Sequence, residues 1–172
     1  MDPKTLRAIQ APLKQKYRDN PQTALVVSRA EVALDPDKFS VILPDGTPRV
    51  AGLHPATGGS GRDACSGDML LEALAACAGV TLLAVAKSMS AKITGGKVIA
   101  EGVWDARGTL AIDRTVPVGI QSIALRFEIE GEIDEAERER LVTSTERYCV
   151  VLATLRDAPA INVEVARPAA NG

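Results

Sequence analysis

Between Glu72 and Lys87 lie fourteen consecutive uncharged residues, Ala73 to Ala86, nearly all of them apolar. No other stretch restricts the fold so tightly. A bilayer span needs about 20 such residues, so the run reads as the core helix of a soluble protein and no membrane is expected as a partner. The spacing predicts a helix over 67–91, with Asp68 near its start, where a carboxylate suits the positive end of the macrodipole. Apolar residues occupy every face, which calls for protein on all sides. A single chain of 172 residues has few elements with which to enclose it. A homodimer, each subunit covering the other's central helix, would meet the demand.

The remaining elements are read around that helix as one domain. An N-terminal arm, 1–22, carries an amphipathic pattern with Leu6, Ile9 and Leu13 spaced three and four apart, interrupted by Pro12. Residues 23–66 supply strands and a Gly-rich loop. "TALVVSRAEVAL" (23–34) and "FSVILP" (39–44) read as a hairpin turned by "DPDK". Residues 45–67 are dense in Gly and Pro and read mostly as loop, too long for a passive connector. Beyond the helix, 92–172 contains strands at 97–111 and 119–132, a helical region and a final strand at 160–167. In the second of these strands Ile123, Leu125, Phe127 and Ile129 alternate with Ala124, Arg126, Glu128 and Glu130, the mark of a sheet with one solvated face. Asp134 with Glu137 three residues on reads as a helix start, and a break near Tyr148 divides that region into two helices. The order β-β-α-β-β-α-β places the fold in the α+β class.

Composition narrows the function. The net charge is −2 with no dense basic patch, and aromatics at 3% of residues leave few base-stacking platforms, so nucleic acid is not expected. The N-terminal residues lack a continuous apolar segment of the secretory kind. Three cysteines without such a segment point to a reducing, cytoplasmic setting. Cys77 sits among Ala75, Ala76, Ala78 and Gly79, small neighbours that allow close approach to its sulfur. They also make it interchangeable with any small filler of a tight helix contact. Cys149 falls where the last helix restarts, and the amides of that start would favour a thiolate there. Cys65 lies in the loop before the long helix. A Cys65–Cys77 disulfide requires their Cα atoms within about 7 Å, hence a loop folded back.

Two segments together carry a resemblance. "GGSGRDACSGDMLLEALAAC" (58–77) resembles the OsmC/Ohr superfamily signature, a Gly-rich loop leading into a helix that ends in Ala-Ala-Cys. "ERYCVVLATL" (146–155) resembles that family's second cysteine element. The resemblance implies an OsmC-like fold, with antiparallel sheets wrapped around a long buried central helix in an intertwined homodimer. It implies a thiol peroxidase that reduces organic hydroperoxides, with Cys77 as attacking thiolate, Cys149 as resolving thiol and an external thiol as reductant. In the peroxidase branches an arginine held by a glutamate activates the thiolate. Here Gly67 stands at the usual glutamate position, and Asp68, one residue on, becomes the carboxylate candidate, alternatively a helix cap. Arg29, Arg49 and Arg62 are the open arginine candidates. Leu70, Leu74, Leu82 and Val150 are expected to line an apolar pocket. The alternative is a non-catalytic protein of the same fold that binds a small apolar ligand or senses redox state.

Other chemistries fit the residues less well. His54 is the only histidine and lies in a loop. A zinc site built from His54, Cys65 and Cys149 has no CxxC or HxxxH spacing. "GGSGRD" lacks the GxxxxGK[ST] of a phosphate-binding loop. Neither a cofactor nor a metal is expected.

Overall fold

The fold is taken from a computed structural model, which describes residues 3–27, 33–35, 40–43 and 49–166. Helix α1 (Pro3–Asp19) is followed by three short strands, β1 (Ala33–Asp35), β2 (Ser40–Leu43) and β3 (Arg49–Gly52). Then come β4 (Ala64–Cys65), the long helix α2 (Ser66–Met89) and strand β5 (Ile93–Val103). One turn of helix, α3 (Ala106–Thr109), precedes β6 (Ser122–Gly131), and α4 (Glu135–Tyr148) and α5 (Val150–Arg156) complete the described elements. The class is α+β, as the element order predicts.

Two sheets form. β1 and β2 make the expected antiparallel hairpin, with Leu34 opposite Val41. β3 adds antiparallel to β2, and β4 adds parallel to β3, placing Gly52 opposite Cys65. The predicted loop over 45–67 therefore contains two sheet segments. Each is only two to four residues long, too short for a periodic signal to stand out among the Gly and Pro around it. The second sheet is the antiparallel ribbon β5–β6, with Val98 opposite Phe127 and Ala100 opposite Leu125. Its solvated face carries the charges that alternation assigns there, including a Lys97–Glu128 ion pair at 3.0 Å. A bulge at Ile93/Gly95 shifts the register. Gly96 beside it has φ +131°, and a Cβ there would run into the Glu128 carbonyl, so this corner depends on glycine.

Several expectations are corrected. α1 continues through Pro12, because the one helical bond that Pro12 cannot donate is lost on an exposed helix, where water can serve the freed carbonyl. Of the strand expected over 23–34, Pro21–Ala24 form a 3-10 turn and only Ala33–Asp35 are strand; 28–32 lie outside the described residues, as does the "DPDK" turn beyond Asp35. β5 ends at Val103 rather than 111, because Asp105 accepts from the Arg107 amide and starts α3. Residues 160–166 form no strand within the chain. Ile161, Val163 and Val165 alternate as a strand should, yet stand almost fully exposed among the described residues.

α2 is the hub, packing against β5, α4 and α5. Within one chain only its Leu74–Ala78–Leu82–Ala86 stripe is buried. The predicted enclosure on every face is therefore absent from the single chain, and Ala73, Ala76, Val80 and Leu83 lie open. Two core clusters sit along the covered stripe. One joins Leu82, Ala86, Ile129 and Leu141, and the other joins Leu74, Ala78 and Cys149. Leu141 is wholly buried. Leu141→Ala should lower unfolding free energy by about 2–5 kcal/mol, read from urea denaturation followed by circular dichroism.

Candidate active site

α4 begins where the sequence places it, with the Asp134 carboxylate accepting from the Glu137 amide at 2.7 Å. It ends at Tyr148 because Cys149, at φ −74° and ψ 108°, leaves the helical region for one residue before α5 starts. The interruption has a chemical consequence. The first amides of a helix have no partner inside it, and those of Val150 and Val151 act on the Cys77 thiol of α2, favouring its ionised form. The Cys149 thiol and the hydroxyl of Thr81, one turn along α2, act on it in the same direction.

Cys77 and Cys149, 72 positions apart, thus meet within one chain. Their environments push them in opposite directions. Burial raises the Cys77 thiol, but the Val151 amide, the Cys149 thiol, the Val150 amide and the Thr81 hydroxyl outweigh it, and its pKa falls below the ordinary value. Burial dominates for Cys149 and, despite the Leu152 amide, its pKa rises, helped by the neighbouring Cys77. Of the two, Cys77 ionises the more readily. The helix start expected to activate Cys149 acts on both sulfurs, and only for Cys77 does the net shift fall. Thr81 and the two valine amides were not singled out from sequence, although Thr81 lies at i+4 from Cys77 on the same helix face. Thr81→Val should move the pH profile of Cys77 alkylation by iodoacetamide to higher pH, measured by mass spectrometry of the labelled peptides.

The surroundings of the pair are apolar. Leu74, Val98, Ala100, Leu125, Phe127 and Leu155 pack around the cluster containing Cys149. Beside it lies a cavity of about 260 Å³ lined by Leu74, Ile123, Leu125, Phe127, Leu152 and Leu155, with the Glu146–Arg156 ion pair (2.7 Å) as its charged lining. The expected pocket list is corrected accordingly. Leu74 belongs to it, whereas Leu82 packs one to two turns further along α2 with Leu141. Leu70 is 40% exposed near the α2 start, and the Val150 side chain is 71% exposed, contributing its amide instead.

The other candidates fall elsewhere. Cys65 occupies the position before α2 without a side-chain capping bond, and Asp68 is exposed in the first turn. Nine residues of helix separate Asp68 from Cys77, about 13 Å along the axis, so the carboxylate does not reach the sulfur within one chain. The twelve residues between Cys65 and Cys77 correspond to about 18 Å, which excludes a disulfide between them, and all three cysteines are free. Arg62 is exposed in a loop, the Arg29 position lies outside the described residues, and of Arg49 only the backbone, in β3, is described. Amides and hydroxyl, not a guanidinium, are what lower Cys77 among the described residues. His54 and Cys65 share a separate cavity of about 380 Å³ with Trp104, whose ring meets the imidazole edge-on at 5.1 Å. The described residues contain no group of three or more His, Cys, Asp or Glu placed to hold a metal ion.

A cysteine pair of this kind, on a long central helix and at the start of a late one, can be compared with known proteins. The profile of the OsmC family, described as OsmC-like protein, matches residues 59–164. The chain belongs to the OsmC-like protein family. Solved structures share its fold. The OsmC-like protein of Mycoplasma pneumoniae superposes with a TM-score of 0.65 at 19% identity, covering 77% of this chain and 89% of that one. An organic hydroperoxide resistance protein OsmC of Legionella pneumophila, also described as a predicted redox protein, gives 0.61 at 18% identity over 77% and 93%. The organic hydroperoxide resistance protein OhrB of Bacillus subtilis gives 0.53 at 17% identity over 77% and 94%. A search of curated proteins found no match. At these identities the structures establish the OsmC-like α+β fold and leave the chemistry to be argued from the residues.

Proposed function

We propose that this OsmC-like chain is a thiol-dependent peroxidase for organic hydroperoxides, working as a homodimer. The observation that carries the reading is the Cys77–Cys149 contact with its opposed pKa shifts. The Cys77 thiolate attacks the terminal peroxide oxygen; the O–O bond breaks, an alcohol leaves after taking up a proton, and Cys77 becomes a sulfenic acid. The Cys149 sulfur then attacks the sulfenic sulfur, forming the disulfide as its proton leaves with the hydroxyl as water. Two equivalents of an external thiol return the pair to the reduced state. The apolar cavity beside the pair suits an alkyl or aryl substituent better than hydrogen peroxide. The dimer is supported by the open apolar face of α2 and by the unpaired alternation at Ile161–Val165.

The test is a count of thiols. Reduced protein mixed with one equivalent of cumene hydroperoxide should lose two of its three thiols per chain, with Cys65 still free and no intermolecular crosslink. Retention of all three would remove the enzyme reading. It would favour a non-catalytic ligand-binding role, for which the separate His54–Trp104 cavity offers room.

A further inference from the structure

The one histidine and the one tryptophan of the chain take no part in the chemistry at the sulfurs, yet they meet. Their rings stand edge to face at 5.1 Å and 87°. Both line the cavity of about 380 Å³, larger than the one of about 260 Å³ beside the cysteine pair. Its walls come from four stretches far apart in sequence: the turn after β3, the start of α2, Trp104 and the loop before β6. Leu53, Leu70, Val118 and Ile120 make them mainly apolar. Among the described residues no lysine, arginine, aspartate or glutamate lines the space. The neighbouring Asp105 and Arg107 pair with each other at 2.6 Å. His54 is fixed by its own turn. Its Nδ1 accepts from the Ala56 amide at 3.0 Å, and its carbonyl accepts from the Thr57 amide and hydroxyl at 2.8 and 3.0 Å. With Nδ1 an acceptor, the neutral ring carries its proton on Nε2. Among the described residues nothing accepts from that Nε2 or from the Trp104 indole.

We infer that this cavity binds an uncharged, planar aromatic molecule bearing a hydrogen-bond acceptor, of the aryl ketone or aryl amide class. Apolar walls with two aromatic rings at right angles offer both a face and an edge to a flat ring system. The uncharged lining selects against an ionised ligand, which would give up its hydration with no counter-charge to replace it. Two ring donors without a protein acceptor select for a carbonyl over a plain hydrocarbon, since a ligand that lacks the acceptor leaves them unpaired. The site is separate from the sulfurs. Cys65 lies in this cavity and Cys77 about 18 Å further along α2, so the inference does not rest on the peroxidase reading.

The test titrates the reduced full chain with 2-acetylnaphthalene, with 2-ethylnaphthalene, which has the shape but no acceptor, and with 2-naphthoate, which has the acceptor and a charge. Calorimetry gives the affinity, and Trp104, the only tryptophan, reports the place by fluorescence. The ketone should bind about tenfold more tightly than the ethyl compound, and the carboxylate least. His54→Phe keeps a ring beside Trp104 and removes the donor. It should weaken the ketone about tenfold and leave the ethyl compound unchanged. Gly119 lines the cavity, lies outside the left-handed region, and a Cβ on it meets nothing within 4 Å. Gly119→Leu should therefore fold as wild type by circular dichroism and thermal unfolding, and bind neither compound. Cys77→Ser should bind as wild type. No binding by the wild type, equal binding of ketone and ethyl compound, or tightest binding of the carboxylate would overturn the inference. Loss of binding in Cys77→Ser would also overturn it, by moving the ligand to the sulfurs, and so would undiminished binding in Gly119→Leu.

Discussion

Cys77→Ser protein will consume cumene hydroperoxide no faster than buffer, a loss on the order of a thousandfold or more. A serine hydroxyl placed among the same four donors stays protonated at any pH the fold tolerates, and it cannot form a sulfenic acid. Cys149→Ser should behave differently. Cys77 keeps the Val150 and Val151 amides and the Thr81 hydroxyl, so a first attack proceeds. The sulfenic acid then has no thiol to condense with. Dimedone should trap it on Cys77, and repeated dosing should drive it to the sulfinic state and end activity. The pH dependence follows from the direction of each shift. A lowered pKa gives Cys77 more thiolate at a given pH than a free cysteine has, so the rate of attack climbs as pH rises through that lowered value. It flattens before Cys149, whose pKa is raised, begins to ionise. Alkylation followed by peptide mapping should label Cys77 first. The reverse order, or a Cys77→Ser protein as active as wild type, would remove Cys77 as the nucleophile.

The parts of this site that are local in sequence could be read from it. The α2 run, the Asp134 start of α4 and the break after Tyr148 each announce themselves within a few residues, and each is found in place. That the break serves a sulfur on another helix is not local information. Nothing in "ERYCVVLATL" shows that its amides face Cys77 rather than favouring Cys149. The same limit explains the misplaced Leu82 and Val150, whereas β3 and β4 escape a sequence reading because each is too short to show an alternation. An all-apolar helix gives no periodicity from which to choose the face that meets the sulfurs. The resemblance supplied which cysteines to pair. It also supplied a carboxylate and an arginine; among the described residues two backbone amides and the Cys149 and Thr81 side chains are what lower Cys77.

Val80→Glu should convert the proposed dimer to monomers. Val80 is 70% exposed in the single chain and lies on the α2 face with Ala73, Ala76 and Leu83, apolar or small from Ala73 to Leu83. If two copies bury that face against each other, the substitution places a carboxylate in the contact from each side. Each buried unpaired charge costs several kcal/mol, and two-fold symmetry doubles the cost and sets like charges near one another. The dissociation constant should rise on the order of ten-thousandfold, visible by sedimentation equilibrium; a mass unchanged from wild type would sink the paired arrangement. The variant also separates two requirements of the chemistry. Cys77, Cys149, Thr81 and the Val150 and Val151 amides all come from one chain, so a diamide-induced disulfide should still form in the Val80→Glu monomer. Hydroperoxide turnover should nevertheless fall, because the open side of α2 would admit water where a partner subunit had excluded it, weakening both the apolar fit of the substrate and the protection of the sulfenic acid. Loss of disulfide formation together with loss of the dimer would mean instead that the partner holds the two sulfurs in register.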